Sequence, residues 1–283
     1  MTNPFHLQQQ THLALAQYYR WYQVYEVPLS ATRIANQKAI LSDDVEITSQ
    51  MGTSKGKADL QQRLELFTGW QNAHHVQNTE VKLLPDGKLS LEADIVYQNI
   101  RPDLSRHSYR LHYATVLVST EQDLPVFEKL DLQATGQIAQ FDFEPAYAEN
   151  RSKSFMHYWL YLLETANGDS TKLHELLADD FSLELSEGQH ISNLPQFDTW
   201  ISAIPQRLSA SSHAYKNFKV LDHGDQSFSV TLDFDWQGFN LQGQAMRAES
   251  QHEWLLENDM ELRFAKLKSM RVRMLKPFQI VDA

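Results

Sequence analysis

The chain of 283 residues is 42% hydrophobic and 22% charged, which predicts a globular protein of two domains. Its formal net charge of −11 argues against nucleic acid and anionic membranes as partners, because both are bound through surplus lysine and arginine. The complete lack of cysteine excludes disulfides, thiolate nucleophiles and cysteine-ligated metals.

The first half of the chain predicts helices followed by strands. The segment up to residue 26 places apolar side chains at helical spacing, residues 31–50 indicate a short helix and then a strand, and residues 56–70 indicate another helix. Four longer strands, separated by turn signals, are expected to begin at residues 76, 89, 107 and 126.

The same order of elements then restarts. A second aromatic helix is predicted over residues 152–166 and another over 193–208, which Pro205 is expected to end or bend. Four strands follow, from residues 214, 227, 243 and 260. The polar segment 144–153 between the two series is the candidate linker.

Sequence landmarks recur at a nearly constant offset, which indicates an internal duplication. The strand LSLEADIVYQNI (89–100) returns as FSVTLDFDWQGF (228–239), at an offset of 139. ILSDDVEI (40–47) pairs with LLADDFSL at an offset of 136, and FEKL (127–130) pairs with FAKL at 137. Offsets that drift by so few residues predict two tandem domains, 1–145 and 150–283.

The aromatic first helices, the LSDDVEITSQMG and LADDFSLELSEG segments and the late strands resemble the nuclear transport factor 2-like superfamily, which includes SnoaL-like polyketide cyclases and ketosteroid isomerases. The resemblance covers nearly the whole chain, in two copies. It implies an α+β fold of two tandem cone-shaped domains, each with N-terminal helices packed on a curved, mainly antiparallel sheet and a pocket between them. As an intramolecular pseudo-dimer, such a pair imitates the dimers of single-domain relatives, so a monomer with internal pseudo-two-fold symmetry is expected.

Strand alternation assigns one face of each repeated strand to the core. The apolar face comprises the odd-numbered positions of 89–97 and the even-numbered positions of 228–236. Asp94 and Asp233 lie on the opposite face, either exposed on the outer surface of the sheet or buried at an interface between the domains. In both cases they are poor candidates for a catalytic acid or base.

The next strand of the second copy places a histidine on its inward face. This face carries Ser250, His252 and Trp254, and His252 is the candidate for a catalytic proton-transfer group. The alternative is a core histidine that a neighbouring carbonyl or hydroxyl satisfies. The other pocket candidates, for which the alternative is a place in the core, are Tyr18, Tyr22, Trp70, Tyr97, Tyr113, Thr115, His157, Tyr161, Trp200 and Trp236.

By the resemblance, a ketosteroid isomerase would carry a general-base carboxylate shortly after the DD segment. The matching positions here are Ser49 and Leu185, and neither side chain can abstract a proton from carbon. No metal site is predicted, because His74 and His75 are adjacent and point to opposite faces of a strand. No phosphate-binding or dinucleotide-binding motif occurs, and no cofactor is predicted.

These observations favour a protein that binds a small hydrophobic molecule in a cone-shaped pocket without an evident catalytic base. The alternative is a lyase, isomerase or cyclase that acts on a carbonyl-bearing molecule in the C-terminal pocket through His252. A second alternative is a structural protein that binds a partner through its outer sheet surface. A cytoplasmic location is expected, because the sequence has neither a signal-like start nor a long apolar stretch.

Overall fold

The computed structural model describes residues 4–121, 123–139, 142–186 and 188–281. The chain divides into two compact units. The first unit comprises Leu13–Ser154, and the second comprises the chain from Phe155 onwards together with the segment up to His12. Among the helices in these ranges, none combines the length and the apolarity that crossing a bilayer requires.

The first unit contains helices and a six-stranded sheet. The elements are α1 (His6–Glu26, from Leu13 onwards), α2 (Ala31–Ala39), β1 (Leu41–Ser49), β2 (Gly52–Lys55), α3 (Leu60–Glu65), β3 (Gln71–Leu83), β4 (Leu89–Ile100), β5 (Arg106–Val118) and β6 (Val126–Ile138). The strand order is β2-β1-β6-β5-β4-β3. Only β1 and β6 pair in parallel among these strands, so the sheet is mainly antiparallel.

The second unit repeats this topology. Its elements are α4 (Tyr147–Thr165, from Phe155 onwards), β7 (Leu177–Glu184), β8 (His190–Ile191), α5 (Leu194–Ala203), β9 (Leu208–Asp222), β10 (Ser227–Asn240), β11 (Ala245–Glu257) and β12 (Lys266–Ile280). The strand order is β8-β7-β12-β11-β10-β9, with the equivalent parallel pair between β7 and β12. The α+β fold class and its tandem repetition are therefore confirmed.

The segment 144–153, predicted as a linker, is mostly helical. Helix α4 begins at Tyr147, and its first turns are buried in the first unit. The polar side chains that suggested a linker have partners there: Asn150 donates to Glu26, and Ser154 donates to the carbonyl of Ala16. The polar composition of this segment wrongly suggested an irregular linker, because these polar groups are buried with their hydrogen bonds satisfied.

The predicted alternation of the repeated strands is confirmed. On β4 the side chains of Leu91 and Ile95 are fully buried, and on β10 the side chains of Val230 and Phe234 are equally buried. These strands therefore present their apolar faces to the cores of their own units. The predicted helix over residues 56–70 is shorter than expected, because α3 ends at Glu65 and leaves the remaining residues in turns before β3.

Trp236 occupies the space above a glycine two positions along β10. A Cβ atom added at Gly238 would lie 2.6 Å from the indole ring and 2.9 Å from the carbonyl oxygen of Ala210. The ring also contacts Phe278 edge-on, with 4.8 Å between the centroids. The lack of a side chain at Gly238 therefore allows Trp236 to pack flat along its own strand.

We expect Gly238→Ala to destabilise the protein by about 1–3 kcal/mol, because the new methyl group must displace the indole or the backbone of Ala210. Gly136 on β6 is the matched control, since a Cβ there meets no atom within 4 Å. Gly136→Ala should be neutral or slightly stabilising, because alanine loses less conformational freedom on folding. Chemical denaturation of both variants measures the difference, and equal midpoints would contradict the packing described.

Candidate functional site

A cavity of about 220 Å³ lies in the first unit. Its wall is largely aromatic, with Trp21, Tyr25, Phe67, Trp70 and Tyr113 among the lining side chains. Typical ligand pockets measure about 300–1,000 Å³, so this one suits a molecule built on a single ring. The cavity therefore has the shape and the chemistry of a site for a small aromatic or hydrophobic molecule.

The strands place polar groups in this wall at alternating positions. Asn72 and His74 come from β3, and Tyr97 and Asn99 come from β4. Because successive side chains of a strand point to opposite faces, each pair lies on the inner face of the sheet. Polar groups that converge in an otherwise apolar cavity are the usual means by which a ligand is oriented.

His74 is held by a buried carboxylate at the end of α1. Glu26, whose side chain has 0% exposure, accepts from the backbone N–H of His74 at 2.8 Å and from its Nδ1 at 2.9 Å. A carboxylate only accepts hydrogen bonds, so Nδ1 of the imidazole is the donor, and in the neutral ring this tautomer leaves the lone pair on Nε2. The amide of Asn150 donates to both carboxylate oxygens, at 3.0 and 3.1 Å, and completes the arrangement.

Two tyrosine rings fix the plane of the His74 imidazole. Tyr22 stacks on one side with 4.6 Å between ring centroids, and Tyr97 stacks with 4.9 Å. The hydroxyl of Tyr97 donates to Asn72 at 2.7 Å, and Asn72 in turn donates to the carbonyl of Tyr25. No residue in the described ranges donates a hydrogen bond to Nε2 of His74, and the ring belongs to the cavity wall.

Two arginines also line the cavity. Arg63 donates from Nη2 to Ser49 at 3.2 Å, and the guanidinium of Arg101 lies over the ring of Trp70 at 4.6 Å. Burial raises the pKa of Tyr25 to about 12, and the positive charge of Arg63 opposes that rise. Ser49, the position matched to the isomerase base, therefore serves here as an acceptor for Arg63.

The second unit contains an equivalent carboxylate–histidine pair. Glu164 of α4 accepts from the backbone N–H of His213 at 2.7 Å and from its Nδ1 at 3.0 Å. His12 donates from Nε2 to the carbonyl of His213, and its Nδ1 lies 2.9 Å from Nδ1 of His157. Burial lowers the pKa of His12 below its usual value, and the charge of Glu164 opposes that shift.

His252 belongs to the second unit and is not among the residues that line the cavity. Both of its ring nitrogens have partners: Nε2 is 3.1 Å from the hydroxyl of Ser250, and Nδ1 accepts from the indole of Trp254 at 3.4 Å. Burial lowers its pKa to about 3, with the charge of His213 acting in the same direction and that of Asp233 opposing. His252 is therefore a neutral imidazole that is difficult to protonate.

The other predicted pocket residues are distributed over both units. Trp70, Tyr97 and Tyr113 line the cavity. Tyr18 and Tyr22 are fully buried and joined by a hydrogen bond between their hydroxyls, whose pKa values burial raises. Thr115 donates to the carbonyl of Leu91, which satisfies its buried hydroxyl.

In the second unit, His157 and Trp236 have the contacts given above. Trp200 packs edge-on against Phe197, and Tyr161 is half-buried on α4.

The two repeated aspartates differ in exposure. Asp94 is exposed and lies 2.9 Å from Nδ1 of His112. Asp233 is buried and accepts from Asn217 at 2.7 Å and from Gln251 at 3.1 Å. Both carboxylates thus have partners on neighbouring strands of their own sheets.

Sequence reasoning missed Glu26, His74, Asn99 and both arginines. A usable signal was present, because Glu26 and His74 recur as Glu164 and His213 at offsets of 138 and 139, within the range that the landmarks of the duplication span. Extending the inner-face alternation of β4 beyond Tyr97 would also have identified Asn99 and Arg101. Arg63 is brought to the cavity by tertiary packing, which no local pattern reveals.

Neither a protein-family model nor a curated protein matches the chain. Solved structures do match, each over about half of it. They include a proposed scytalone dehydratase from Novosphingobium aromaticivorans DSM 12444 (11% identity, TM-score 0.42, 48% of this chain and 88% of that chain). The hexachlorocyclohexane dehydrochlorinase LinA-type3 from Novosphingobium barchaimii LL02 (13%, 0.41, 48% and 90%) and ActVI-ORFA from Streptomyces coelicolor (13%, 0.37, 44% and 96%) are similar. At these identities the likenesses concern the fold alone, and each covers slightly less than half of this chain.

The stability of the protein should fall as the pH drops from about 6.5 towards 3. The unfolded chain protonates His252 in this window, whereas the folded protein keeps it neutral, so unfolding takes up a proton. His252→Gln removes that proton uptake. Between pH 6.5 and 4.5 the variant should lose about 2–3 kcal/mol less stability than the wild type, because one pKa unit corresponds to about 1.4 kcal/mol.

Denaturant titrations at several pH values measure this difference. His6→Gln, at an exposed position, controls for the loss of a histidine. Parallel pH profiles for the wild type and His252→Gln would show that burial does not keep His252 neutral.

Proposed function

We propose that the first unit binds a small aromatic molecule in its cavity and that His74 removes a proton from it, as in a lyase or an isomerase. The observation that carries the proposal is an imidazole in the cavity wall whose Nδ1–H is donated to a fully buried carboxylate. This pair supplies the base that the sequence comparison with ketosteroid isomerases did not find.

The chemistry follows from the position of the protons. Nε2 of His74 has the free lone pair, so it accepts a proton from an acidic C–H bond of the bound molecule. Glu26 holds the ring in this tautomer and stabilises the positive charge that the ring acquires. The proton then returns to a different carbon in an isomerisation, or to a leaving group in an elimination.

Two other functions compete with this one. A purely structural role for the carboxylate–histidine pair is favoured by its repetition around Glu164, where the carboxylate again holds a backbone N–H. Among the described residues, however, His74 stacks with two tyrosine rings and lines the cavity, whereas His213 contacts the ring of Phe234 edge-on. A reaction at His252 is disfavoured by its low pKa and by the partners on both of its nitrogens.

Deuterium uptake at the benzylic carbon of phenylacetone and phenylpyruvate, followed by NMR in D₂O, tests the proposal. Both probes combine one aromatic ring with a C–H bond made acidic by a neighbouring carbonyl. We expect the wild type to accelerate uptake by at least one probe, and His74→Gln to lower the catalysed rate by about 10²- to 10⁴-fold. Glu26→Gln keeps an oxygen that can accept from the backbone N–H, so the cavity should retain its shape and KM should change little. The variant loses the negative charge that stabilises the protonated imidazole, so kcat should fall.

The second unit supplies the matched controls. His213→Gln and Glu164→Gln make the same changes in the equivalent pair, and they should leave the rate of uptake unchanged. Thermal unfolding of all four variants separates loss of catalysis from loss of fold. The proposal fails if neither probe is exchanged, if His74→Gln retains the wild-type rate, or if His252→Ala alone abolishes uptake.

A further inference from the structure

The cavity is positively charged in an acidic protein. The chain carries a formal charge of −11, yet Arg63 and Arg101 line the cavity, and no aspartate or glutamate among the described residues does so. Neither arginine forms an ion pair with a residue in the described ranges. Buried or half-buried guanidinium groups are normally paired with carboxylates, so these two lack the partner that their chemistry favours.

A buried amide in the same wall also lacks partners. Asn99 is 1% exposed, and neither its Nδ2 nor its Oδ1 forms a hydrogen bond with a described residue. The Nε atoms of Arg63 and Arg101 are likewise buried and unpaired in this part of the chain. Leaving such a group unsatisfied is energetically unfavourable, and a ligand with matching atoms would remove that penalty.

The two arginines approach the cavity from different elements. Arg63 belongs to α3 and is tethered to Ser49 through Nη2. Arg101 follows directly after β4, two residues beyond Asn99, and its guanidinium lies against the indole of Trp70. Arg63 also interacts with the buried hydroxyl of Tyr25. The Nε atoms of both guanidinium groups have no hydrogen-bond partner among the described residues, so N–H donors remain for a ligand.

From this arrangement we infer that the molecule bound in the first unit carries a carboxylate, which Arg63 and Arg101 bind while Asn99 donates from its amide. This inference rests on the proposed function, since it assigns the substrate class of the same cavity: a small aromatic carboxylic acid. The ring packs against the aromatic wall, and the anion lies at the arginines. The competing explanation is that both arginines have a purely structural role. Arg101 would then serve only to pack against Trp70, and Arg63 only to hydrogen-bond to Ser49.

Isothermal titration calorimetry with phenylacetate and with its neutral isostere 2-phenylacetamide tests the inference. The two probes share one ring and nearly one shape, so the ratio of their Kd values reports the charge. The wild type should bind phenylacetate at least about tenfold more tightly than the amide, because hydrogen bonds between two charged groups are stronger than those to a neutral group. Higher ionic strength should weaken the binding of phenylacetate and leave that of the amide nearly unchanged.

Arg63→Met and Arg101→Met should each lower the affinity for phenylacetate by about tenfold and bring the two Kd values together. The ratio of the Kd values for phenylacetate and 2-phenylacetamide is decisive, because replacing an arginine with a purely structural role would change the affinity for both probes by the same factor. Arg110→Met is the control, since Arg110 is exposed on β5 and its substitution changes the net charge by the same amount. It should keep the preference of the wild type.

Three results would overturn the inference: equal affinity for the two probes, a preference that survives in both variants, or binding of neither probe at millimolar concentration. Its failure is distinguishable from that of the proposed function. Arginine-dependent carboxylate binding without deuterium uptake removes only the proposed reaction. His74-dependent uptake without a preference for the carboxylate removes only the anion site.

Discussion

A carboxylate with no access to solvent needs hydrogen-bond donors, and each unit places one histidine against such a carboxylate. Both oxygens of Glu26 accept hydrogen bonds, whereas Glu164 accepts through Oε1 and its buried Oε2 has no partner among the described residues. Glu26 and Glu164 have 0% side-chain exposure, and each accepts from the backbone N–H and the imidazole of one histidine. Burying an unpaired carboxylate would be strongly unfavourable, so the end of each long helix is tied to the first long strand of its sheet. In the first unit, that tie also sets the position of His74 in the cavity wall.

Both units contain this carboxylate–histidine pair, but the residues around the pair differ. At the offset of 139, Tyr97, Asn99 and Arg101 correspond to Trp236, Gly238 and Asn240. In the second unit the indole therefore packs over a glycine where the first unit has a buried amide. The two units therefore share the apolar alternation and the carboxylate–histidine pair, and they differ at the polar positions near the ends of these strands.

The sequence predicted the elements that local patterns determine. The alternation of apolar residues assigned the buried faces of β4 and β10 correctly. The nearly constant offsets between landmarks indicated the duplication from the sequence alone. The site depended on contacts between distant residues, such as Glu26 with His74, and periodicity does not report these. The helix predicted through Trp70 failed for a local reason: Gly69, with φ at +78°, forms a turn that separates Trp70 from α3. Trp70 is thereby available to pack against Arg101.

Net charge and site charge act over different distances. At physiological ionic strength the surface carboxylates are screened beyond about 8 Å, so the charge of −11 has little effect inside a cavity walled by aromatic rings. Within that wall the dielectric is lower than in water, and the fields of Arg63 and Arg101 are correspondingly stronger. An acidic surface and a cavity that favours anions are thus compatible in one molecule. The acidic balance of the whole chain disfavours polyanionic partners, but it does not oppose a small acid that enters the cavity alone.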